Sequence, residues 1–274
     1  QTISLRDGLH SLNSIDPSSI ERIEVIRGSN GVYGFGGTGG IINIITRKNE
    51  KGAPLYRTEL NGGFSPEHLK ASDQFGLSQR VNGGSGAFDY QLRGSYEKRA
   101  NVFDADGDRI PPDPTGQGGI ADAREFDVLA KLGFDLDADK RLELTTSYYD
   151  IKQDTNYVLE AGVYGEQKTR AVKGDPGGKD QGTENLNVNL TYSDQQLFGD
   201  TSLGAQLYYR DYMTRFGYFA TFYPGGGQSL TESERIGSRL DFETPFDVMS
   251  GAKLLWGLDT LMETTAQPLE DGRT

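Results

Sequence analysis

The chain has 274 residues, with 28 Lys+Arg against 40 Asp+Glu and a formal charge of −12; this balance speaks against a nucleic-acid partner, because phosphate binding needs a basic face. Cysteine is absent, which excludes a disulfide scaffold, a thiolate metal site and a Cys nucleophile. Glycine supplies 37 residues, about 13% against a usual value near 7%, and 14 Tyr with 13 Phe suit many tight turns between ring-bearing strands.

No stretch approaches the roughly 18 consecutive apolar residues of a membrane helix, and the first residues, QTISLRDGLH, lack the basic and apolar regions of a signal peptide. A mean hydropathy of −0.58 fits a soluble protein or a transmembrane β-barrel, whose alternate residues face water.

In chain order, Asp16-Pro17-Ser18-Ser19 offers an N-cap and a Pro at the first helical position, predicting one helical turn before a strand around Ile23 to Arg27. Glycines then crowd into Gly28 to Gly40, and the branched run Ile41 to Thr46 predicts a strand covered on both faces. Gly34-Phe35-Gly36-Gly37-Thr38-Gly39 satisfies G-x-G-x-x-G, but a strand-forming run follows where a dinucleotide fingerprint needs a helix. Asn49 to Pro54 reads as a linker.

From residue 55 onward a period of two takes over. Phe88, Tyr90, Leu92 and Tyr96 alternate with Asp89, Gln91, Arg93 and Ser95; Phe126, Val128, Leu132 and Phe134 alternate with Asp127, Lys131 and Asp135. The same pattern recurs over Leu186 to Ser193 and Leu203 to Arg210, and more weakly over five further segments, for about nine strands. Connectors alternate between short ones, as at Asn82 to Gly86 and Asp135 to Lys140, and long polar ones at Arg99 to Arg124, Asp154 to Thr183 and Gly217 to Thr231. Loops sorted this way, with rings near segment ends, fit a transmembrane antiparallel barrel better than a soluble sandwich. Arg57, Arg80, Arg93, Lys131, Arg210 and Arg239 fall on the polar faces, where they either guide an anion or pair with Glu59, Asp89, Asp127 and Asp241.

The run Ile20 to Lys48, IERIEVIRGSNGVYGFGGTGGIINIITRK, resembles the closing segment of the plug domain of TonB-dependent outer-membrane receptors, departing from it at Gly28-Ser29, where the family often has Gly-Pro. Among its members the ferric-siderophore receptors are the nearest in kind. The resemblance implies an all-β chain: the C-terminal part of a plug domain over 1–48, a linker over 49–54, and the N-terminal part of a transmembrane barrel over 55–274. It further implies residence in the Gram-negative outer membrane, TonB and its inner-membrane complex as energising partner, a ferric siderophore as cargo rather than a cofactor, and no enzymatic activity. On this reading Val32 and Tyr33 contact ligand at the plug apex, Glu21, Arg22, Glu24 and Arg27 make plug–barrel ion pairs, and Gly28, Gly34, Gly39 and Gly40 form the plug glycine motif. Cobalamin, haem or a sugar as cargo, or a non-transport β protein such as an adhesin, remain as alternatives.

A plugged barrel of about 22 strands, at about 24 residues per strand, needs about 530 residues, so the chain is expected to be a fragment that aggregates or stays unfolded by itself. Asp104, Asp106 and Asp108 imitate part of a calcium loop, but Pro111 and Pro112 follow and the twelfth-position Glu is missing. His10 and His68 are the only histidines, too few for a His metal site or a catalytic triad; both are expected at the surface.

Overall fold

The computed structural model describes residues 20–28, 39–47, 49–113, 121–220, 223–246 and 251–272. The helical turn expected at Asp16 to Ser19 lies outside them. Strands β1 (Ile20–Arg27) and β2 (Gly40–Thr46) pair antiparallel as a sheet of their own. Gly40 faces Arg27 at the mouth of this hairpin with a φ of +144°, and a Cβ there would stand 2.7 Å from the Ile26 carbonyl oxygen, so only glycine fits. Ile42 is 54% exposed, so the expected cover on both faces of β2 is not complete in the described residues.

The rest is one nine-stranded antiparallel sheet: β3 (Gly52–Gly63), β4 (Gln74–Ser85), β5 (Phe88–Arg99), β6 (Ala123–Asp135), β7 (Lys140–Gln153), β10 (Gly182–Phe198), β11 (Thr201–Arg215), β12 (Leu230–Phe246) and β13 (Ala252–Ala266). Each strand pairs with its chain neighbour in this set, the up-and-down order a barrel wall requires. A separate short hairpin, β8 (Tyr157–Glu160) with β9 (Arg170–Lys173), lies within the connection from β7 to β10. The period-two count of nine strands therefore describes the large sheet and misses this hairpin.

All four short connections, after β4, β6, β10 and β12, fall on one rim, and the long ones, after β3, β5, β7 and β11, on the other. The tightest turns carry Gly86 and Gly199 at φ +59° and +58°, the left-handed backbone that two-residue hairpins use.

Burial across this sheet is inverted relative to a soluble protein. Along β6 the buried positions include Glu125, Asp127 and Lys131, whereas Phe126, Val128, Leu132 and Phe134 are exposed. On β5, Asp89, Gln91 and Arg93 are buried while Phe88, Leu92 and Tyr96 are exposed. A water-soluble sheet hides its apolar face; this one hides its charges and presents its apolar side outward, as a barrel in lipid does.

Candidate functional site

The polar face is built by register. Following the paired Cα positions from β3 to β13, one row crosses the sheet through Arg57, Arg80, Arg93, Leu129, Ser147, Asn187, Arg210, Arg235 and Glu263. The next row along, one residue away on every strand, runs through Tyr56, Val81, Leu92, Ala130, Thr146, Val188, Tyr209, Ile236 and Met262. Because strand side chains alternate, this second row points to the exposed face.

Several of the arginines are held by neighbours on the same face. Arg93, 3% exposed, pairs with Asp127 at 4%. Arg235 reaches Glu263 at 2.8 Å, and Arg57 reaches Glu59 at 2.5 Å. Arg210 donates from Nε to Asn185 at 3.1 Å and stands 4.8 Å from the Tyr212 ring centre. Arg80 Nε is buried without a hydrogen-bond partner, in the field of Arg47, Arg57, Glu59 and Glu50.

The segment leaving β2 is fastened to the short-turn rim. Lys131 Nζ donates to the Arg47 carbonyl at 3.0 Å, Asn49 donates to Asp89 at 2.7 Å, and Lys51 pairs with Asp135 while donating to the Gly86 carbonyl at 3.1 Å. Asp89, 2% exposed, takes both terminal nitrogens of Arg141 at 2.7 Å, and Arg141 also reaches Asp135 at 2.8 Å and Glu143 at 3.2 Å. This bidentate arrangement satisfies a buried carboxylate that would otherwise be costly. Gly133 makes room for it, since a Cβ there would lie 2.0 Å from Arg141 Nη2 and 2.4 Å from Asp89 Oδ1. Sequence reading placed Asp89 and Lys131 on the polar face but did not find the tether or its partners Asn49, Lys51 and Arg141.

At the long-loop rim, His68 stacks on Phe103 with ring centres 3.9 Å apart, and the Arg109 guanidinium lies 5.5 Å from Phe103 and 3.7 Å from the Tyr157 ring centre. His68 and Phe103 border a cleft that includes Phe64, Ser72 and Asn101. His68 is half-buried rather than at the surface. Lys168, from the turn between β8 and β9, places its ammonium 2.9, 3.1 and 2.5 Å from Asp104, Asp106 and Asp108. The protein's own cation therefore fills the position that the calcium-like spacing suggested. These hydrogen bonds hold the Asp104 carboxyl below its ordinary pKa and the Lys168 ammonium above its own. Among the described residues no group of three or more His, Cys, Asp or Glu is placed to hold a metal ion.

A second knot joins the long connections. Gln228, 3% exposed, donates to the carbonyls of Lys179 at 2.6 Å and Phe216 at 2.8 Å, and Glu270 pairs with Lys179 and, at 3.0 Å, with Arg215. The Lys179 and Arg215 cations hold the Glu270 carboxyl below its ordinary pKa.

Of the other residues singled out by sequence, Arg22 reaches Glu21 at 3.0 Å and Glu24 at 2.9 Å within β1, and Asn43 of β2 donates to Glu24 at 3.1 Å. The two donors hold Glu24 below the usual carboxylate range, Arg22 with the larger effect. Glu21 stands close enough to Lys131 to act on its charge. Arg27 ends β1, and Gly28 follows with a φ of +88°. Gly39 and Gly40 open β2, while Val32, Tyr33 and Gly34 lie outside the described residues.

No family model matches the chain. Among curated proteins it is 32% identical over 267 residues to the ferric aerobactin receptor of Klebsiella pneumoniae, covering 93% of this chain and 36% of that receptor. It is 29% identical over 279 residues to the rhizobactin receptor of Rhizobium meliloti, covering 95% of this chain and again 36% of the relative. Both matches take in the β1–β2 hairpin segment and the sheet together, since so little of the chain is left out. Over nearly all of its length the chain is similar to receptors named for aerobactin and rhizobactin. It spans about a third of the length of the curated relatives it matches. Solved structures of the same fold include the copper transporter OprC, with a TM-score of 0.66 at 16% identity over 93% of this chain and 35% of that one. The FrpB iron transporter from Neisseria meningitidis gives 0.63 at 19% identity, over 92% of this chain and 38% of that one. With the fold established, the buried polar side of the sheet is the lumen wall of a barrel, and the exposed apolar side faces lipid. The curated relatives are named as receptors, not enzymes.

Proposed function

We propose that the protein containing this chain imports a ferric siderophore across the outer membrane, with residues 1–48 as the end of a plug domain, 49–54 as a linker and 55–274 as the first part of the barrel that the plug gates. TonB and its inner-membrane complex supply the energy, and a chelated iron is cargo rather than a resident cofactor. The observation that carries this reading is the alignment of nearly the whole chain to part of the receptors named for ferric aerobactin and for rhizobactin; it is supported by a polar lumen wall in which Arg93 and Arg235 are buried and by a tether fixing the plug-proximal segment to the barrel rim. Within it, Val32 and Tyr33 contact cargo at the plug apex, where a tyrosine offers a flat ring and a hydroxyl to a chelate. Glu21, Arg22, Glu24 and Arg27 form an ionic surface between plug and barrel, a contact that can part without exposing a large apolar area.

The test is uptake of radiolabelled cargo by cells carrying the full-length receptor and a matched deletion strain, over a panel of ferric siderophores, cobalamin, haem and a sugar, each carrying its own label. Energy-dependent uptake of one ferric siderophore, weakened by Tyr33→Ala, is the expected result. Uptake confined to cobalamin, haem or a sugar keeps the fold and overturns the cargo.

A further inference from the structure

The residues between Thr46, the last of β2, and Gly52, the first of β3, join the β1–β2 hairpin to the sheet. The wall grips this strap at three points: Lys131 binds the Arg47 carbonyl, Asp89 binds the Asn49 amide, and Asp135 with the Gly86 carbonyl binds the Lys51 ammonium. Both carboxylates in the grip are held by one guanidinium. Arg141 of β7 stands opposite Asp135 of β6 and bonds it, then reaches past Gly133 to take Asp89 of β5 with both terminal nitrogens. It can cross a whole strand because Gly133, opposite Asp89, puts no side chain in its path. A planar fork of fixed donors suits this double task.

The cost of opening differs on the two sides of Arg47. Lys131 is 6% exposed, and lifting the strap would take the Arg47 carbonyl from its buried ammonium; a buried charge stripped of its partner is strongly destabilising. Asp89, 2% exposed, would lose its Asn49 donor in the same movement. The hairpin carries its bonds with it instead: Arg22 pairs with Glu21 and Glu24 within β1, and Asn43 of β2 donates to Glu24. Those bonds stay made when the hairpin moves as a body, so the weaker junction lies between Thr46 and Arg47.

We infer that Arg141 is a positioning residue for the plug: by fixing Asp89 and Asp135 it keeps Arg47, Asn49 and Lys51 on the barrel wall throughout transport, so that the plug moves about a hinge between Thr46 and Arg47. The inference rests on the receptor reading above and adds to it the point where the movement stops.

The experiment uses the full-length receptor in living cells, with any cysteine outside this chain changed to serine, since the chain itself contributes none. Single cysteines, Asn43→Cys and Asn49→Cys, report on the two sides of the hinge through their rates of labelling by a small maleimide dye; the second leaves the Lys131 and Lys51 contacts in place. Cells receive the cargo that the uptake panel identifies and are compared with and without a protonophore. Each cysteine is placed beside the native Arg141, beside Arg141→Gln, and beside Asp135→Asn, which leaves the Asp89–Arg141 bonds intact. With native Arg141, position 43 is expected to label at least threefold faster in energised cells, and position 49 at rates that do not differ. With Arg141→Gln, position 49 should also label at least threefold faster when energised, and with Asp135→Asn about twofold faster. A merely structural loss would raise labelling at 49 equally with and without the protonophore. An energised rise at 49 beside native Arg141, a position 43 that does not respond in cells importing cargo, or an Arg141→Gln receptor whose position 49 is unchanged or ignores the protonophore would each overturn the inference. Should Arg141→Gln fail to assemble, Asp135→Asn decides, and energy-independent labelling at 49 in that variant overturns it. Cells that import no cargo of the panel in an energy-dependent way would instead refute the receptor reading itself.

Discussion

Replacing Ile236 by Arg separates a lipid-facing sheet from a soluble one by a wide margin. Ile236 is 57% exposed, lies on the apolar row between Tyr209 and Met262, and belongs to β12, six residues before Phe242. Phe242 stacks on Trp256 with ring centres 4.0 Å apart near the short-turn rim, the place of an interfacial aromatic girdle. At ~3.3 Å per residue six residues make about 20 Å along the strand, and a tilt of ~45° turns that into about 14 Å of depth. The apolar band of such barrels is about 25 Å tall, so Ile236 sits close to its midplane. There an arginine costs about 2–4 kcal/mol, whereas an exposed apolar residue of a soluble protein tolerates the change within about 0.5 kcal/mol. The assay is the urea-dependent folding equilibrium of the full-length receptor in lipid vesicles, with Tyr164→Arg as control, because Tyr164 is fully exposed in the β8–β9 turn. A loss of 2 kcal/mol or more for Ile236→Arg beside an unchanged control is expected. A loss below 0.5 kcal/mol would refute the assignment of the exposed face to lipid.

Three further outcomes follow from the tether and the outer loops. Asp89→Ala removes a carboxylate that is 2% exposed and leaves Arg141 with Asp135 and Glu143, 30% exposed itself; the loss should lie at or below the ~3 kcal/mol foot of the range for breaking a buried pair, with faster protease cleavage within 47–51 as a second readout. Gly133→Ala should cost about 1–3 kcal/mol in the same folding assay, because its methyl group displaces the Asp89–Arg141 pair; a neutral result would mean the pair relaxes freely. For the outer loop, Asp104 titrates below its ordinary value of 3.8 because Lys168 bonds the ionised form. A carboxyl with a lowered folded-state pKa stabilises above its unfolded pKa and loses that contribution as pH falls through the folded value. Amide protection over Asp104 to Arg109 should therefore hold at neutral pH and decline only below the ordinary carboxylate range, whereas Lys168→Gln should lower it already at pH 7 by hydrogen-exchange mass spectrometry.

The wall of the barrel was legible because alternation is a local signal: Phe126, Val128 and Phe134 against Asp127 and Lys131 can be sorted into two faces without any tertiary information. Which face is outward was legible through the sorting of short and long connections and the rings near segment ends, since period two alone fits a soluble sandwich equally well. The β8–β9 hairpin escaped because YVLE and RAVK are four-residue runs set among loop residues, too short to show a period. Positions that lie together only across many residues escaped for a different reason. Asn49 meets Asp89 over a separation of 40, Lys131 meets the Arg47 carbonyl over 84, and Lys168 meets Asp104 over 64; no spacing rule reaches that far.

The arginine row shows where the boundary between the two kinds of information runs. Each arginine could be assigned to the polar face from its own strand, but placing Arg57, Arg80 and Arg93 at one level requires the pairing offset of two successive hairpins. A one-residue slip in either pairing would send a whole strand's polar set to the lipid side, so register is fixed by burial across the sheet. Turn geometry closes the hairpin after β4 through Gly86 at φ +59° and absorbs the irregular step between Asp194 and Phe198 before Gly199. The residues that decide where the charges gather are therefore the glycines of those turns and the apolar row behind the arginines, none of which carries a charge.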